Sequence, residues 1–441
     1  MQVDALLSDS VGVMMGEVVL NTGDTAWMLM SCALVLLMTP GLALFYGGMV
    51  RAKGVLNMMM MSFISMGIVS ILWVLYGYSM AFGKDLGKGL LGNPFEMFGL
   101  TKQIAADSYF GTIPTSVFIA FQAMFAIITV ALISGAIADR TKFGGWILFV
   151  IIWSTVVYFP IAHWVFDFDS GDKDPGGWIA NQLKAIDFAG GTAVHINAGI
   201  AGLAAALVIG KRVGFGREGF KPHNLTLVMI GAGLLWFGWF GFNAGSAVAS
   251  NATAGVTFLN TFVATGAAML SWLLVEKVRD GRATSLGAAS GVVAGLVAIT
   301  PSCSSVNPLG AIGLGAIAGV LCALAVGLKY KFGYDDSLDV VGVHLVGGLA
   351  GSLLVGIFAT KDAPAGVDGL LFGGGFDQFN RQLIASVAVL AYSFVVTYII
   401  AKIVDKTVGF RITPEAEAKG IDLSEHAESA YEFGGTRGGA F

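Results

Sequence analysis

Apolar runs of 20 or so residues recur from Thr25 almost to Asp405. As a helix, a run of that length crosses the roughly 30 Å hydrocarbon core of a bilayer. Lipid offers no water to free backbone N–H and C=O groups, so each crossing must satisfy its own hydrogen bonds. The pattern therefore predicts an all-α polytopic membrane protein. Eleven transmembrane helices are expected, over about 25–49, 55–82, 113–137, 144–166, 190–210, 225–247, 253–275, 284–301, 309–329, 340–360 and 382–404. Composition agrees: 56% of the 441 residues are hydrophobic and 12% are charged, against about a quarter charged in a soluble domain. The 62 glycines suit helices that approach closely in lipid.

Lys and Arg in the connections set the orientation. Of the 25, 18 fall in one set of loops and the C-terminal tail, and seven in the opposite set. The rich side is expected to be cytoplasmic. This puts the N-terminus outside and the tail inside a cell membrane, and an odd number of spans makes that arrangement consistent.

Two histidines lie inside apolar spans, in matching frames. Asp187-Phe-Ala-Gly-Gly-Thr-Ala-Val-His195 continues to Gly199-Ile-Ala-Gly202, and Asp336-Ser-Leu-Asp-Val-Val-Gly-Val-His344 continues to Gly348-Leu-Ala-Gly351. The frames fall in spans 5 and 10. A weaker echo, Gly-x3-Phe-x2-Gly, links Gly41–Gly48 in span 1 with Gly238–Gly245 in span 6. Spans 1–5 and 6–10 thus read as two five-helix repeats plus one extra helix. Five is odd, so the second repeat is inverted, an arrangement that places substrate sites near the midplane between the halves. The expected divisions are an extracytoplasmic segment 1–24, a first repeat 25–210, an inverted second repeat 211–361, an outer loop and eleventh helix 362–404, and a cytoplasmic tail 405–441.

An ionisable group inside a span is a functional hypothesis by default. Helix rise puts His195 about 12 Å beyond Asp187, and His344 as far beyond Asp336, so both land near the midplane. Facing imidazoles pair as one donor and one acceptor, and desolvation disfavours their charged form. Such a pair handles a small polar solute or a proton. The plainer alternative is two unrelated histidines, each satisfied by a backbone carbonyl. Asp187 and Asp336 lie near helix starts, where a carboxylate caps free N–H groups and suits the dipole. Both read mainly as structural, with a possible electrostatic pull on a cation at Asp187. His163, His223 and His426 lie at a span end, in a loop and in the tail, and solvated or interfacial roles are expected for them. Phe121 and Phe125 share a face of span 3, and Ser246 follows Phe242 by one turn in span 6. Spacing alone makes these rings ordinary core.

The three cysteines, Cys32, Cys303 and Cys322, show no metal or redox spacing. No basic run suggests nucleic acid, and no metal or cofactor is expected. Met1-Gln-Val-Asp4 lacks the basic start of a cleavable signal peptide.

Asp187-Phe-Ala-Gly-Gly-Thr-Ala-Val-His-Ile-Asn-Ala198 closely resembles the signature of the ammonium transporter (Amt) branch of the Amt/Mep/Rh family. Phe240-Gly-Phe-Asn-Ala-Gly-Ser246, Gly41-Leu-Ala-Leu-Phe-Tyr-Gly-Gly48, Lys211-Arg-Val-Gly-Phe-Gly216 and Lys221-Pro-His-Asn224 are similar to further family motifs, and the match runs from roughly Thr25 to Tyr431. The resemblance implies a transporter rather than an enzyme, an eleven-helix protomer in a homotrimer, and one pore in each. It makes His195 and His344 the twin pore histidines and Phe125 with Phe242 the outer aromatic gate. Ser246, Phe121, Phe166 and Thr300 become the ammonium-recruiting residues. The family commonly has tryptophan where this chain has Phe166; Trp164 and Trp178 are nearby, and the acidic stretch Asp167 to Asp174 looks inserted. Ammonium would be recruited by aromatic faces and a hydroxyl, deprotonated at the mouth, and passed on as ammonia. The resemblance leaves open whether the proton follows. The tail, through Val408-Gly-Phe-Arg-Ile412 to Tyr431, resembles the family's cytoplasmic tail, where a PII-type regulator docks in bacterial members.

Competing readings are a Rh-like gas channel, an ammonium sensor, and a bis-histidine membrane haem protein. The haem reading would need the two imidazoles to straddle an iron.

Overall fold

The computed structural model describes residues 20–168, 175–217 and 219–431. Most of the expected 1–24 segment, most of the acidic stretch to Asp174 and the last ten residues lie outside them. Helices follow the apolar runs closely: α1 Thr22–Met49, α2 Val55–Phe82, α3 Thr115–Ile137, α4 Phe143–Phe166, α5 Gly191–Ile209, α6 Leu225–Ala247, α7 Ala252–Asp280, α8 Ser285–Ile299, α9 Pro308–Phe332, α10 Val341–Phe358 and α11 Asp377–Thr407.

Ten of these are long and apolar enough to cross a membrane. The eleventh expected crossing, α8, is shorter than the sequence suggests. Its 15 residues rise about 22 Å. Pro301, which has no N–H to continue the ladder, follows, and the chain turns through Thr300–Ser305. In contrast, α7 and α11 outrun their apolar cores. Polar turns carry them into water, and Lys277 and Arg279 lie in the last turn of α7, where cations suit the carbonyl end of the dipole.

Helix starts are written locally. The side chains of Asn21, Asn224, Asn251, Thr284 and Asn307 each accept an N–H from the first turn of α1, α6, α7, α8 and α9. Glycines then let the helices touch. A Cβ on Gly231 of α6 would meet the Phe45 backbone of α1 at 2.4 Å, and one on Gly48 of α1 would meet Asn224 O at 2.6 Å. The α5–α10 crossing repeats the device reciprocally. A Cβ on Gly199 would lie 2.4 Å from Leu345 N, and one on Gly348 would lie 3.0 Å from His195 Cβ and 3.1 Å from Ile196 N. Outward faces carry large exposed apolar residues such as Ile71, Leu270 and Leu274, as contact with hydrocarbon requires.

The loop ends are held by charge. Asp335 accepts Arg212 Nε at 3.0 Å and Nη2 at 2.8 Å, and its carbonyl accepts Arg140 Nη2 at 2.6 Å. The tail turns back over the same face. Asp422 accepts the N–H groups of Leu56 and Asn57 at 3.0 and 2.8 Å, and Glu425 accepts Phe143 N at 2.8 Å. Neither α2 nor α4 has a side-chain cap of its own, so carboxylates of the tail satisfy both starts.

Two expectations follow from these contacts. Valine at Gly348 should cost about 1–3 kcal/mol through overpacking, seen as a lower melting temperature in detergent. Valine at Gly67, with nothing within 4 Å, should cost little. Burial alone would raise the Asp335 carboxyl, but hydrogen bonds and charge from Arg212 and Arg140 hold it below its ordinary value. A depressed folded value gives stability that is complete above the unfolded carboxyl value of about 3.9 and is lost as pH falls through the folded one. Melting curves should therefore lose stability on acidification below about pH 4. Asp335→Asn should lack that step and be about 1–3 kcal/mol less stable at neutral pH, because it removes a charged hydrogen-bond partner from Arg212 and leaves it the Asp139 carboxylate.

Candidate functional site

The two histidine frames build matching local structures. Asp187 accepts Gly190 N at 2.8 Å, Gly191 N at 2.5 Å and Thr192 N at 2.8 Å. The reversal that brings these N–H groups round needs Gly190, at φ 117°, a region most side chains avoid. Asp336 accepts Val340 N at 3.0 Å and Val341 N at 2.7 Å. Both carboxylates thus close helix starts. Beyond each cap the helix opens into a π turn, Gly191–Ile196 and Val341–Leu345, where the spacing alone predicts a plain α-helix. Single π turns often mark functional sites, and here each carries a histidine.

His195 and His344 meet face to face. Their Nδ1 atoms are 3.4 Å apart, and the rings lie 5.4 Å apart at 26°. One Nδ1 must donate and the other accept, which two neutral rings satisfy. Both are almost wholly enclosed. His195 Nε2 has no partner among the described residues, although a buried ring nitrogen ordinarily finds one.

A column of rings leads to the pair. Phe125 of α3 stacks on Phe242 of α6 at 4.2 Å, and Phe242 lies 6.1 Å from His195. Phe121 and Phe166 meet Phe125 edge-on at 4.9 and 6.3 Å. Among the three rings considered for this corner, Phe166 is the one beside Phe125. Trp164 instead packs on Trp178 and Tyr392. Ser246 sits in the turn ending α6, its hydroxyl donating to Phe242 O at 2.8 Å. Thr300 is fully enclosed behind the column; it accepts Trp239 Nε1–H at 2.9 Å and donates to Leu296 O at 2.7 Å.

Two narrow cavities continue the path. One is lined by Phe242, Trp239, His195 and His344 with apolar residues of α1, α3, α5, α6 and α8. The other shares Phe45, Val293 and His344 with it and reaches Ser290 and Asp339. Apart from the Met38 thioether, the side-chain heteroatoms in the first lining are those of the histidines and Trp239. A charged solute would find no counter-charge there, whereas a small neutral molecule that donates and accepts hydrogen bonds would.

Trp239 is the residue that the sequence reading passed over. Its ring lies 5.4 Å from His195 at 23°. The available signal was its place three residues before Phe242 on one helix face. His163, expected to be solvated or interfacial, is fully buried near the C-terminal end of α4, because Asp85, Asp167 and the Ala81 carbonyl close around it.

The family model for the Ammonium Transporter Family matches residues 26–431. A protein of Mycobacterium tuberculosis named as an ammonium transporter is 63% identical over 432 residues, covering 93% of this chain and 90% of that one. One of Bacillus subtilis with the same name is 46% identical over 419 residues, covering 94% and 99%. Among solved structures, Saccharomyces cerevisiae Mep2 superposes with a TM-score of 0.82 at 34% identity, covering 90% of this chain and 88% of that one. A structure described as a sensor Amt protein does so at 0.83 and 30%, covering 92% and 98%. On the extent of these matches, the chain belongs to the ammonium transporter family.

Proposed function

We propose that this chain carries ammonium across a cell membrane by taking the cation at one mouth and passing neutral ammonia between His195 and His344. The observation that carries the reading is the hydrogen-bonded histidine pair at the end of a ring column, in a cavity otherwise almost without polar side chains. A full charge in such a passage is expensive. Ammonia is small and both donates and accepts. Phe121, Phe125, Phe166 and Phe242 offer aromatic faces to ammonium at the mouth, and Ser246 offers a hydroxyl. The proton is shed there to water, and the Asp187 carboxylate that caps α5 adds an electrostatic pull on the cation. Thr300 acts from behind by holding Trp239 against His195. Whether the proton crosses through the histidines is decided by current recording on reconstituted protein.

Spans α1–α5 and α6–α10 form two inverted repeats, supported by the α1–α6 crossing and the reciprocal glycine contacts of α5 with α10. The lysine- and arginine-rich loops and the tail face the cytoplasm. The protomer works in a homotrimer embedded in membrane lipid, and the inner face with its tail receives a PII-type regulator. A second reading, an ammonium sensor, is supported by the likeness to a protein described as one.

Uptake of labelled methylammonium by cells lacking other carriers separates these readings. Correctly inserted wild-type protein should accumulate it. Binding without uptake would favour the sensor. His344→Ala should change the uptake rate by about tenfold or more, the effect expected of one lost hydrogen-bonding group in a buried path, with the melting temperature kept within a few degrees. An unfolded variant would instead assign the histidine to structure.

A further inference from the structure

In each histidine frame, the residue just before the capping aspartate is held from elsewhere in the bundle. At α10, the carbonyl of Asp335, next to Asp336, accepts Arg140 Nη2 at 2.6 Å. At α5, Ile186, next to Asp187, is held by a side chain of α11. Gln382 Oε1 accepts Ile186 N at 2.7 Å, and Gln382 Nε2 donates to Ile186 O at 2.7 Å. The helix α11 lies outside both repeats, so neither frame contains this anchor.

The amide reaches further than Ile186. Its Nε2 also donates to Ser352 O of α10 at 3.1 Å, and its Oε1 also accepts Gln378 Nε2 at 2.9 Å. A glutamine amide has two donor hydrogens and two acceptor lone pairs, and here all four are used. Turned over, it would set its oxygen against two carbonyls, so the contacts fix one orientation. Gln382 is buried. An unpaired amide among apolar helices is costly, so a fully paired one holds its partners together.

Printed contacts run from this amide to the histidines on both sides. The Asp187 carboxylate takes the N–H groups of Gly190, Gly191 and Thr192, and Gly190 O accepts His195 N at 3.1 Å. On α10, Ser352 follows His344 and Gly348. A Cβ on Gly191 would meet the Ser352 hydroxyl at 2.8 Å, and one on Gly348 would meet His195 Cβ at 3.0 Å. Gln382 therefore ties the chain entering α5 to the backbone of α10 at one end of the crossing that brings the two rings together.

We propose that Gln382 is a positioning residue, which sets the separation of His195 and His344 by clamping α5 to α10 from α11. It acts through backbone, and its hydrogen bonds go to neither ring. Its part in transport rests on the reading of the histidine pair as the passage for ammonia; its effect on the geometry of the pair does not.

The test uses the full chain in lipid with 15N-labelled histidine. Magnetisation transfer between the two Nδ1 atoms, 3.4 Å apart, reads the pair directly. Gln382→Met keeps the size of the side chain and removes all four bonds. The dipolar coupling should weaken about twofold, as it does over the ångström that breaks the hydrogen bond. The saturating methylammonium rate should fall about fivefold, the worth of one buried hydrogen bond, with KM within about twofold because the mouth is untouched. Thr397→Val is the control. It removes another buried bond of α11, from Trp153 Nε1 at 2.9 Å, and should leave coupling and rate near wild type. Equal losses in both variants, or an unchanged coupling in folded Gln382→Met, would overturn the clamp. A weakened coupling with an unchanged rate would overturn its part in transport. If Gln382→Met does not insert, Gln382→Glu gives the same reading, since it loses both donors and keeps an acceptor for Ile186 N. If wild-type protein took up no methylammonium, the transport reading would fall, while the coupling would still decide the clamp.

Discussion

Everything at the centre of this molecule depends on α5 and α10 touching backbone to backbone. A side chain at Gly199 or Gly348 would drive into the other helix, and the separation between His195 and His344 would grow with it. At 3.4 Å between Nδ1 atoms the rings share a hydrogen bond; about an ångström more would break it. The π turns serve the same end. Each widens its helix over one turn and rotates a histidine toward the crossing, while the backbone carbonyls still find donors. The haem alternative fails here on geometry, since rings in direct contact leave no space for an iron and its macrocycle between them.

Charge is sorted by depth. The His195–His344 pair needs one donor and one acceptor at its shared contact, and its surroundings are mostly hydrocarbon and aromatic. Carboxylates lie at the helix ends, where backbone N–H groups are free to meet them. Asp187 and Asp336 close the starts of α5 and α10, and Asp335 pins Arg212 and Arg140. Burying any of these carboxylates in the middle of a span would cost several kcal/mol. At the ends the same groups order loops and aim helices.

The tail is part of this economy. From Thr413 to Tyr431 it is seated by side chains that complete other elements. Asp422 and Glu425 cap α2 and α4, Glu417 pairs with Arg411 at 2.8 Å, and the Tyr431 hydroxyl lies 2.9 Å from His223 Nε2. A tail so placed can report on the starts of α2 and α4, because moving it would uncap both. That physical coupling suits the regulated docking face proposed for it.

Helix existence, most boundaries and the pairing of the two histidine frames were legible in the sequence, because apolar run length, cap residues and repeated glycines act locally. The short α8 was not. Its apolar run continues past Ile299, and only Pro301 and the turn beyond it end the helix. Trp239 and Phe166 could not be told from core by spacing in a chain with 31 phenylalanines. Which ring faces the path depends on how α3, α4 and α6 are rotated against one another, and packing across the whole bundle sets that rotation. The sequence suggested solvent for His163 because it stands at a span end. Burial came from Asp85, 78 residues earlier, and no local pattern carries that contact. The sequence by itself determined which segments enter the membrane and which residues repeat. Tertiary structure decided what those residues face, because a side chain's partner across a bundle is fixed by long-range helix packing.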